Sequence, residues 1–188
     1  LAHASLVDAA RLSGAMLKVF PHNDPDTLAG FLRRIRDRDP DRDRILVLTE
    51  SVFSMDGDPA PLKDIMDVCS RHEALLLVDE AHATGVWGEG RGLCVEAGIE
   101  KHPYLLRTGT LSKALGGQGG YLLAPKPVRD LVINKGRSFI YSTALAPALC
   151  GAGLAALRIV VAEPERREQL LKNTRLLRNS LPPLSLDS

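Results

Sequence analysis

One lysine of this sequence has surroundings that a solvated surface lysine does not need. Lys113 lies in the stretch 108–120, among hydroxylated residues and glycines, between two apolar runs. A lysine amine that attacks a carbonyl carbon beside a bound phosphate needs such a setting, because hydroxyls and backbone N–H groups hold the phosphate. An ordinary loop lysine in contact with water fits the stretch equally well. The choice between these two interpretations depends on the other motifs.

A carboxylate and an imidazole follow another apolar run. Asp79 ends the run 74–79, and His82 comes three positions later. A charge at the end of an apolar strand needs a partner, since burying it alone is costly. That partner is either a ligand cation, such as a protonated ring nitrogen, or a structural helix cap or ion pair. We predict no metal site, because no third or fourth ligand is spaced to complete one.

Four further polar residues suit either a ligand or an ordinary structural role. Ser54 precedes a predicted turn, His3 is flanked by alanines, and Ser142 and Thr143 precede a helix start, where they either cap the helix or bind an anion. The phosphate-loop, dinucleotide-binding and serine hydrolase motifs are absent from the sequence.

The apolar runs predict an alternation of strands and helices. Strands are predicted at 16–20, 45–49, 74–79, 104–108 and 120–124. Helices are predicted within 1–15, at 25–38 and at 61–72. Two more are separated by an extended segment at 138–143, and the second of them, within 143–162, is predicted to be buried. A last helix is predicted after 163. This order implies an α/β fold with a mostly parallel sheet buried on both faces. Ligands bind at the carboxyl ends of such strands, so the loops after Thr49, Asp79 and Thr108 are expected to converge.

Composition narrows the class of protein. The chain has 188 residues, 45% of them hydrophobic and 25% charged, with a net charge of +1, which fits one globular domain and gives no sign of nucleic-acid or anionic-membrane binding. Three scattered cysteines and no long apolar run indicate a reducing, cytoplasmic location without a membrane span. The chain starts on Leu1 and ends on a loop-like stretch, so we expect a piece of a longer protein.

Six stretches together resemble the α-oxoamine synthase family of pyridoxal 5′-phosphate (PLP)-dependent enzymes. Two of them are Val-Asp-Glu-Ala-His-Ala-Thr-Gly at 78–85 and Gly-Thr-Leu-Ser-Lys-Ala-Leu-Gly-Gly at 109–117; the others are 2–6, 50–58, 90–93 and 140–143. The resemblance implies fold-type I, the three-layer large domain of aspartate aminotransferase-like enzymes. Residues 1–162 would be part of that PLP-binding domain, and residues 163–188 a helix leading towards a C-terminal small domain.

The resemblance implies PLP as the cofactor. Lys113 would join it covalently and then act as the base for the α-proton of an amino acid. Such an amine must lose its proton easily, so we expect a partly desolvated, cation-rich site. Asp79 would keep the ring nitrogen protonated, and His82 and Ser54 would hydrogen-bond the phenolic oxygen.

The same resemblance assigns the remaining site residues. His3 would stack on the ring and contact the substrate, as a third catalytic residue beside Lys113 and Asp79. Thr110 would bind the phosphate. Ser142 and Thr143 would reach the phosphate of the neighbouring subunit, which implies a homodimer.

The implied reaction is the decarboxylative condensation of L-alanine with a pimeloyl thioester, carried by coenzyme A or by a carrier protein, in biotin biosynthesis. Sister reactions of the family use glycine with acetyl-CoA or serine with a fatty acyl thioester. A non-catalytic scaffold subunit and an inactive fragment are alternatives of another class. Because Lys113 and Asp79 are both present, an enzyme is favoured.

Overall fold

The computed structural model describes residues 2–39 and 44–181. Its centre is a four-stranded sheet of order β1-β2-β3-β4. The strands are β1 (Leu46–Glu50), β2 (Leu75–Asp79), β3 (Leu105–Thr110) and β4 (Gly120–Leu123). The first three are parallel, and β4 is antiparallel to β3. The predicted mostly parallel sheet is therefore confirmed.

Helices connect and flank these strands. They are α1 (Ala4–Leu12), α2 (Pro25–Arg38), α3 (Leu62–Arg71), α4 (Leu93–Glu96), α5 (Lys126–Lys135), α6 (Arg137–Ile140), α7 (Pro147–Ala162) and α8 (Glu165–Ser180). The start of α2 shows why the local sequence specifies it: Asp24 accepts hydrogen bonds from the backbone N–H of Thr27 at 2.8 Å and from its hydroxyl at 2.6 Å, which lowers the pKa of Asp24. Pro25 fits the first turn, where no backbone donor is needed.

The core lies between the sheet and the α2–α3 pair. Along β2, Leu76 and Val78 are fully buried, whereas Leu75 and Leu77 are only half-buried. On the edge strand β1, Leu46 is 51% exposed. The prediction that these strands are buried on both faces is therefore wrong for the described chain, because its helices cover one face of the sheet more completely than the other.

Two other local predictions are wrong. Residues 16–20 form no strand, and Met16 and Val19 are exposed, because no strand within the described ranges pairs with their backbone. The segment 138–143 is not uniformly extended, since α6 ends at Ile140 and the hydroxyl of Ser142 donates to the carbonyl oxygen of Ser138, as in a helical turn.

The apolar side chains of the C-terminal helices are far more exposed than the sequence suggests. The helix α7 was predicted to be buried, but only Gly153 is buried in it. In α8 no residue is buried, and Leu176 and Leu177 are largely exposed. No single helix of the described ranges is long and apolar enough to span a membrane. The helices α7 and α8 reach that length and apolarity only when taken as a pair, and they are bent by 76° where they meet.

Two cysteines, Cys69 and Cys94, are expected not to react with alkylating reagents in the folded protein. Burial raises the pKa of Cys69 from 9.0 to about 12, and burial also raises the pKa of Cys94. For Cys69 this shift lowers the reactive thiolate fraction about a thousandfold. Alkylation followed by mass spectrometry should modify both thiols only after unfolding. Modification of either one in the folded protein would contradict this assignment.

Candidate active site

A cleft of about 230 Å³ opens at the carboxyl ends of β1, β2 and β3. Its lining residues are His3, Ser5, Glu50, Asp79, Ala81, His82, Thr108, Gly109, Thr110 and Lys113. The three strands run parallel, so their following loops meet at one edge of the sheet. The predicted convergence of these loops is confirmed.

The lysine loop is closed on itself by short-range hydrogen bonds. The backbone N–H of Leu111 donates to the carbonyl oxygen of Gly119 at 2.9 Å, and that of Gly117 donates to the carbonyl oxygen of Leu111 at 2.7 Å. Leu115 is buried and anchors the loop. Lys113 therefore projects from a loop whose two ends are tied to β3 and β4, which limits the positions that its amine can reach.

Thr110 is engaged within the same loop. Its hydroxyl contacts the hydroxyl of Ser112 at 2.7 Å and donates to the carbonyl oxygen of Gly119 at 3.1 Å. It also accepts from the backbone N–H of Ser112 at 3.1 Å. These bonds hold two hydroxyl groups next to the lysine and occupy their protons within the loop.

Asp79 occupies the central strand of the site. It pairs in register with Glu50 on one side and with Thr108 on the other. Asp79 is half-buried, and its Oδ1 accepts a hydrogen bond from the backbone N–H of Ala81 at 2.9 Å. This bond is a turn interaction, neither the helix cap nor the ion pair considered as the structural alternative, and it involves only one of the two carboxylate oxygens.

A buried ion pair lies directly behind the site. Glu80 is 0% exposed and accepts from the Nε of Arg107 at 2.7 Å and from the backbone N–H of Cys94 at 2.8 Å. Gly92 has a φ of 103°, and a Cβ there would overlap the Glu80 carboxylate. The backbone N–H of Glu80 also donates to the carbonyl oxygen of Thr108 at 2.8 Å. The pair therefore connects β2 to β3 next to Asp79.

A glycine on β3 makes room for an aromatic ring beside the cleft. A Cβ on Gly109 would collide with the hydroxyl end of Tyr121. That hydroxyl lies 2.5 Å from the hydroxyl of Thr84. Burial raises the pKa of Tyr121, although the Thr84 bond opposes the shift. The phenol is thus neutral and holds the loop after β2 against β4.

Five of the eight predicted site residues line the cleft: His3, Asp79, His82, Thr110 and Lys113. Ser54, Ser142 and Thr143 do not line it, and all three are exposed. His3 is at the same time the cap of α1, since its Nδ1 accepts from the backbone N–H of Ser5 at 3.3 Å.

The environment of Lys113 differs from the expected one. The residue is exposed, so the partial desolvation predicted for its amine is absent from the described chain. The cleft is also not rich in cations, because it includes the carboxylates of Glu50 and Asp79. Glu50 was not identified as a site residue from the sequence, where it follows an apolar run. Its position at the end of a predicted strand was the feature that could have identified it.

Comparison with known proteins places the chain in a family. The pattern of the family described as aminotransferase class I and II matches residues 1–186. The chain belongs to this family. It is 52% identical over 171 residues to the 8-amino-7-oxononanoate synthase of Mycobacterium bovis, which covers 91% of this chain and 43% of that protein. The corresponding enzyme of Mycolicibacterium paratuberculosis is 51% identical over 93% of this chain and 45% of its own length.

Solved structures confirm the fold class. The Sphingomonas wittichii serine palmitoyltransferase matches with a TM-score of 0.87 and 33% identity, over 95% of this chain and 44% of that one. The Francisella tularensis 8-amino-7-oxononanoate synthase matches with a TM-score of 0.76 and 29% identity, over 92% of this chain and 48% of that one. The chain thus has the fold of PLP-dependent fold-type I enzymes, and it spans less than half the length of these relatives.

Proposed function

We propose that the full-length protein is a PLP-dependent C-acyltransferase that condenses L-alanine with a pimeloyl thioester to give 8-amino-7-oxononanoate. The observation that carries this proposal is the cleft at the ends of β1 to β3, where Lys113, Asp79, His82 and Thr110 line one small volume. The 52% identity to an 8-amino-7-oxononanoate synthase supports the choice of reaction.

The residues of the cleft fit a phosphorylated pyridine aldehyde. Lys113 supplies an exposed amine that a carbonyl group can reach, and Thr110, three positions before it, would supply a hydroxyl for a phosphate. Asp79 has one carboxylate oxygen beyond the Ala81 bond, and this oxygen would hold a proton on the ring nitrogen.

The cofactor, when bound, supplies an electron sink for the carbon that loses a proton or a carboxylate. Around it, the Nζ of Lys113 would take and return the α-proton of the amino acid. The imidazole of His82 and the hydroxyl of Ser54 would both hydrogen-bond the phenolic oxygen of PLP. The ring of His3 would cover the face of the pyridine and exclude water from it.

Ser54 is exposed and outside the cleft, so its proposed role requires a different position of its loop in the complete protein. The residue lies at the tip of a turn closed by the backbone N–H of Gly57, which donates to the carbonyl oxygen of Phe53 at 2.8 Å. Glu50, at the base of this loop, lines the cleft instead. Ser54 remains a proposed contact of the phenolic oxygen of PLP in the full-length protein.

A homodimer with shared sites is part of the proposal. Ser142 and Thr143 are exposed and lie outside the cleft, as expected of residues that serve the phosphate of a neighbouring subunit. Nearby apolar side chains, including Phe139 and Tyr141, are also largely exposed. A second copy, or the remainder of the chain beyond α8, would cover this surface. We also propose a cytoplasmic location, which suits the free thiols of the described chain.

The fold comparison favours a second candidate. Serine palmitoyltransferases match this chain with TM-scores of up to 0.87, against 0.76 for the Francisella synthase. A serine-specific condensation is therefore the alternative, and glycine with acetyl-CoA is a third. All of them use the same cofactor chemistry, so substrate selection decides between them.

The deciding experiment is an assay of the full-length protein with L-alanine, L-serine and glycine, each paired with pimeloyl, palmitoyl and acetyl thioesters. We expect release of CO2 and free thiol to be fastest with L-alanine and a pimeloyl thioester. A preference for L-serine with palmitoyl-CoA, or for glycine with acetyl-CoA, would assign the protein to a sister reaction. Absence of turnover with every pair would favour a scaffold role.

A further inference from the structure

The cleft contains a second carboxylate to which the function proposed above gives no role. Glu50 is the last residue of β1 and lines the cleft. It is 2% exposed, and its Oε1 is buried and accepts no hydrogen bond from any residue in the described ranges. Its backbone pairs in register with Asp79, so two carboxylates stand on neighbouring strands about 4.8 Å apart at their backbones.

Such an arrangement is unfavourable without a partner. An acceptor that is withdrawn from water and left unpaired loses the hydrogen bonds it makes in the unfolded chain. A neighbouring carboxylate adds repulsion between like charges. The buried ion pair of Glu80 with Arg107 shows that this chain provides a guanidinium where a buried carboxylate has only a structural role. No described residue provides such a partner for the Oε1 of Glu50.

The order of the strands indicates which part of a ligand would reach Glu50. The proposed phosphate site, Thr110, is on β3, and the proposed partner of the ring nitrogen, Asp79, is on β2 between β3 and β1. In PLP the phosphate arm and the hydroxyl group are on opposite sides of the axis that passes through the ring nitrogen. The hydroxyl-bearing edge, next to the carbon that Lys113 attacks, therefore falls on the β1 side.

We propose that Glu50 is a further cofactor-binding residue, whose carboxylate faces the hydroxyl-bearing edge of PLP and balances the proton held on the nitrogen that joins Lys113 to the cofactor. This inference rests on the function proposed above. Besides Glu50 and Lys113, the titratable groups of the cleft are Asp79, His82 and His3. Of these, Asp79 is assigned to the ring nitrogen, and His3 already bonds the hydroxyl of Ser5 at 2.8 Å.

The test uses the full-length protein loaded with PLP, in wild-type form and as Glu50→Gln. The visible absorbance of the bound cofactor changes with pH as the linking nitrogen loses its proton. A nearby negative charge favours the protonated form, so removal of that charge lowers the pH midpoint of this transition, by about one unit. Glu50→Asp keeps the charge and should return the midpoint towards the wild-type value.

One further measurement separates a ligand-binding role from a structural one, and a matched variant provides the control. Without PLP, Glu50→Gln should melt at a temperature no lower than wild type, because an unpaired buried charge has been removed. The control is Asp67→Asn, which removes an exposed carboxylate from α3 and should leave the midpoint unchanged.

The possible outcomes are distinct. A midpoint equal to that of wild type, or a PLP-free variant that melts well below wild type, would overturn the assignment of Glu50 while leaving the proposed enzyme intact. If the wild-type protein takes up no PLP, the proposed function itself is wrong, and the role of Glu50 is wrong with it.

Discussion

Replacement of Lys113 with alanine is expected to abolish covalent retention of PLP by the full-length protein and to lower its turnover by at least about 100-fold. The variant loses both the nucleophile that attaches the cofactor and the base for the α-proton. Treatment with borohydride, followed by peptide mass spectrometry, should place a pyridoxyl group on Lys113 in wild type. The variant should carry no such group and should lack the visible absorbance band of the attached cofactor.

Two companion variants make this result specific. Lys113→Arg keeps the positive charge but cannot form the carbon–nitrogen link, so it should also lose the absorbance band. Lys135→Ala removes an exposed lysine at the end of α5, outside the cleft, and should behave as wild type. A pyridoxyl group on another lysine, or full turnover by Lys113→Ala, would show that the site has been assigned to the wrong residue.

Replacement of Glu80 with leucine is expected to cost about 3–5 kcal/mol of the free energy of unfolding. Glu80 is fully buried and pairs with Arg107, which is itself 9% exposed, so the substitution leaves a guanidinium without its counter-charge. It also leaves the backbone N–H of Cys94 without its acceptor. Urea unfolding of the full-length protein, followed by circular dichroism, measures the loss.

A double variant and an exposed pair provide the controls. Glu80→Leu combined with Arg107→Met should be more stable than Glu80→Leu alone, since no buried charge remains unpaired. Glu89→Gln removes one partner of the exposed pair with Arg91, whose side chains are 79% and 61% exposed, and should cost less than about 1 kcal/mol. Equal losses in the free energy of unfolding for Glu80→Leu and Glu89→Gln would show that the buried pair stabilises the fold no more than the exposed pair does.

The Glu80 prediction also concerns the site. Glu80 follows Asp79 directly, and its backbone N–H bonds the carbonyl oxygen of Thr108 on the next strand. A rearrangement of the ion pair would therefore shift the two strand ends that carry the cleft. We expect the loss of stability in Glu80→Leu to be accompanied by weaker PLP retention.

Several elements could be predicted because their information is local. The apolar runs that became β1, β2 and β3 are short, continuous and bounded by polar residues, and each forms a strand within one or two residues of the predicted bounds. The start of α2 follows from Asp24 and Pro25, which act on their own first turn. The run 16–20 has a similar composition but forms no strand, since a strand also requires a neighbour.

The chemistry of the site was predictable only in part. Lys113, Asp79 and His82 were identified because their types and spacing are unusual, and the parallel sheet brings them together. Ser54 was chosen from the same kind of pattern, yet its turn places it outside the cleft. Which polar residue of that loop faces the site depends on the backbone conformation of the turn, which residue types alone do not determine.

The sequence by itself determined the order of the four strands of the sheet, the α/β class, and the lysine and aspartate on which a PLP site depends. Tertiary structure alone decided that Glu80 pairs with Arg107, that α7 stays exposed, and that Glu50 and Lys113 line one cleft, where the Oε1 of Glu50 accepts no hydrogen bond from any described residue. The periodicity of apolar residues indicates the secondary structure of a segment and which of its faces avoids water. Pairing, burial and the lack of a partner are properties of residues far apart in the chain, which only the folded arrangement brings into contact.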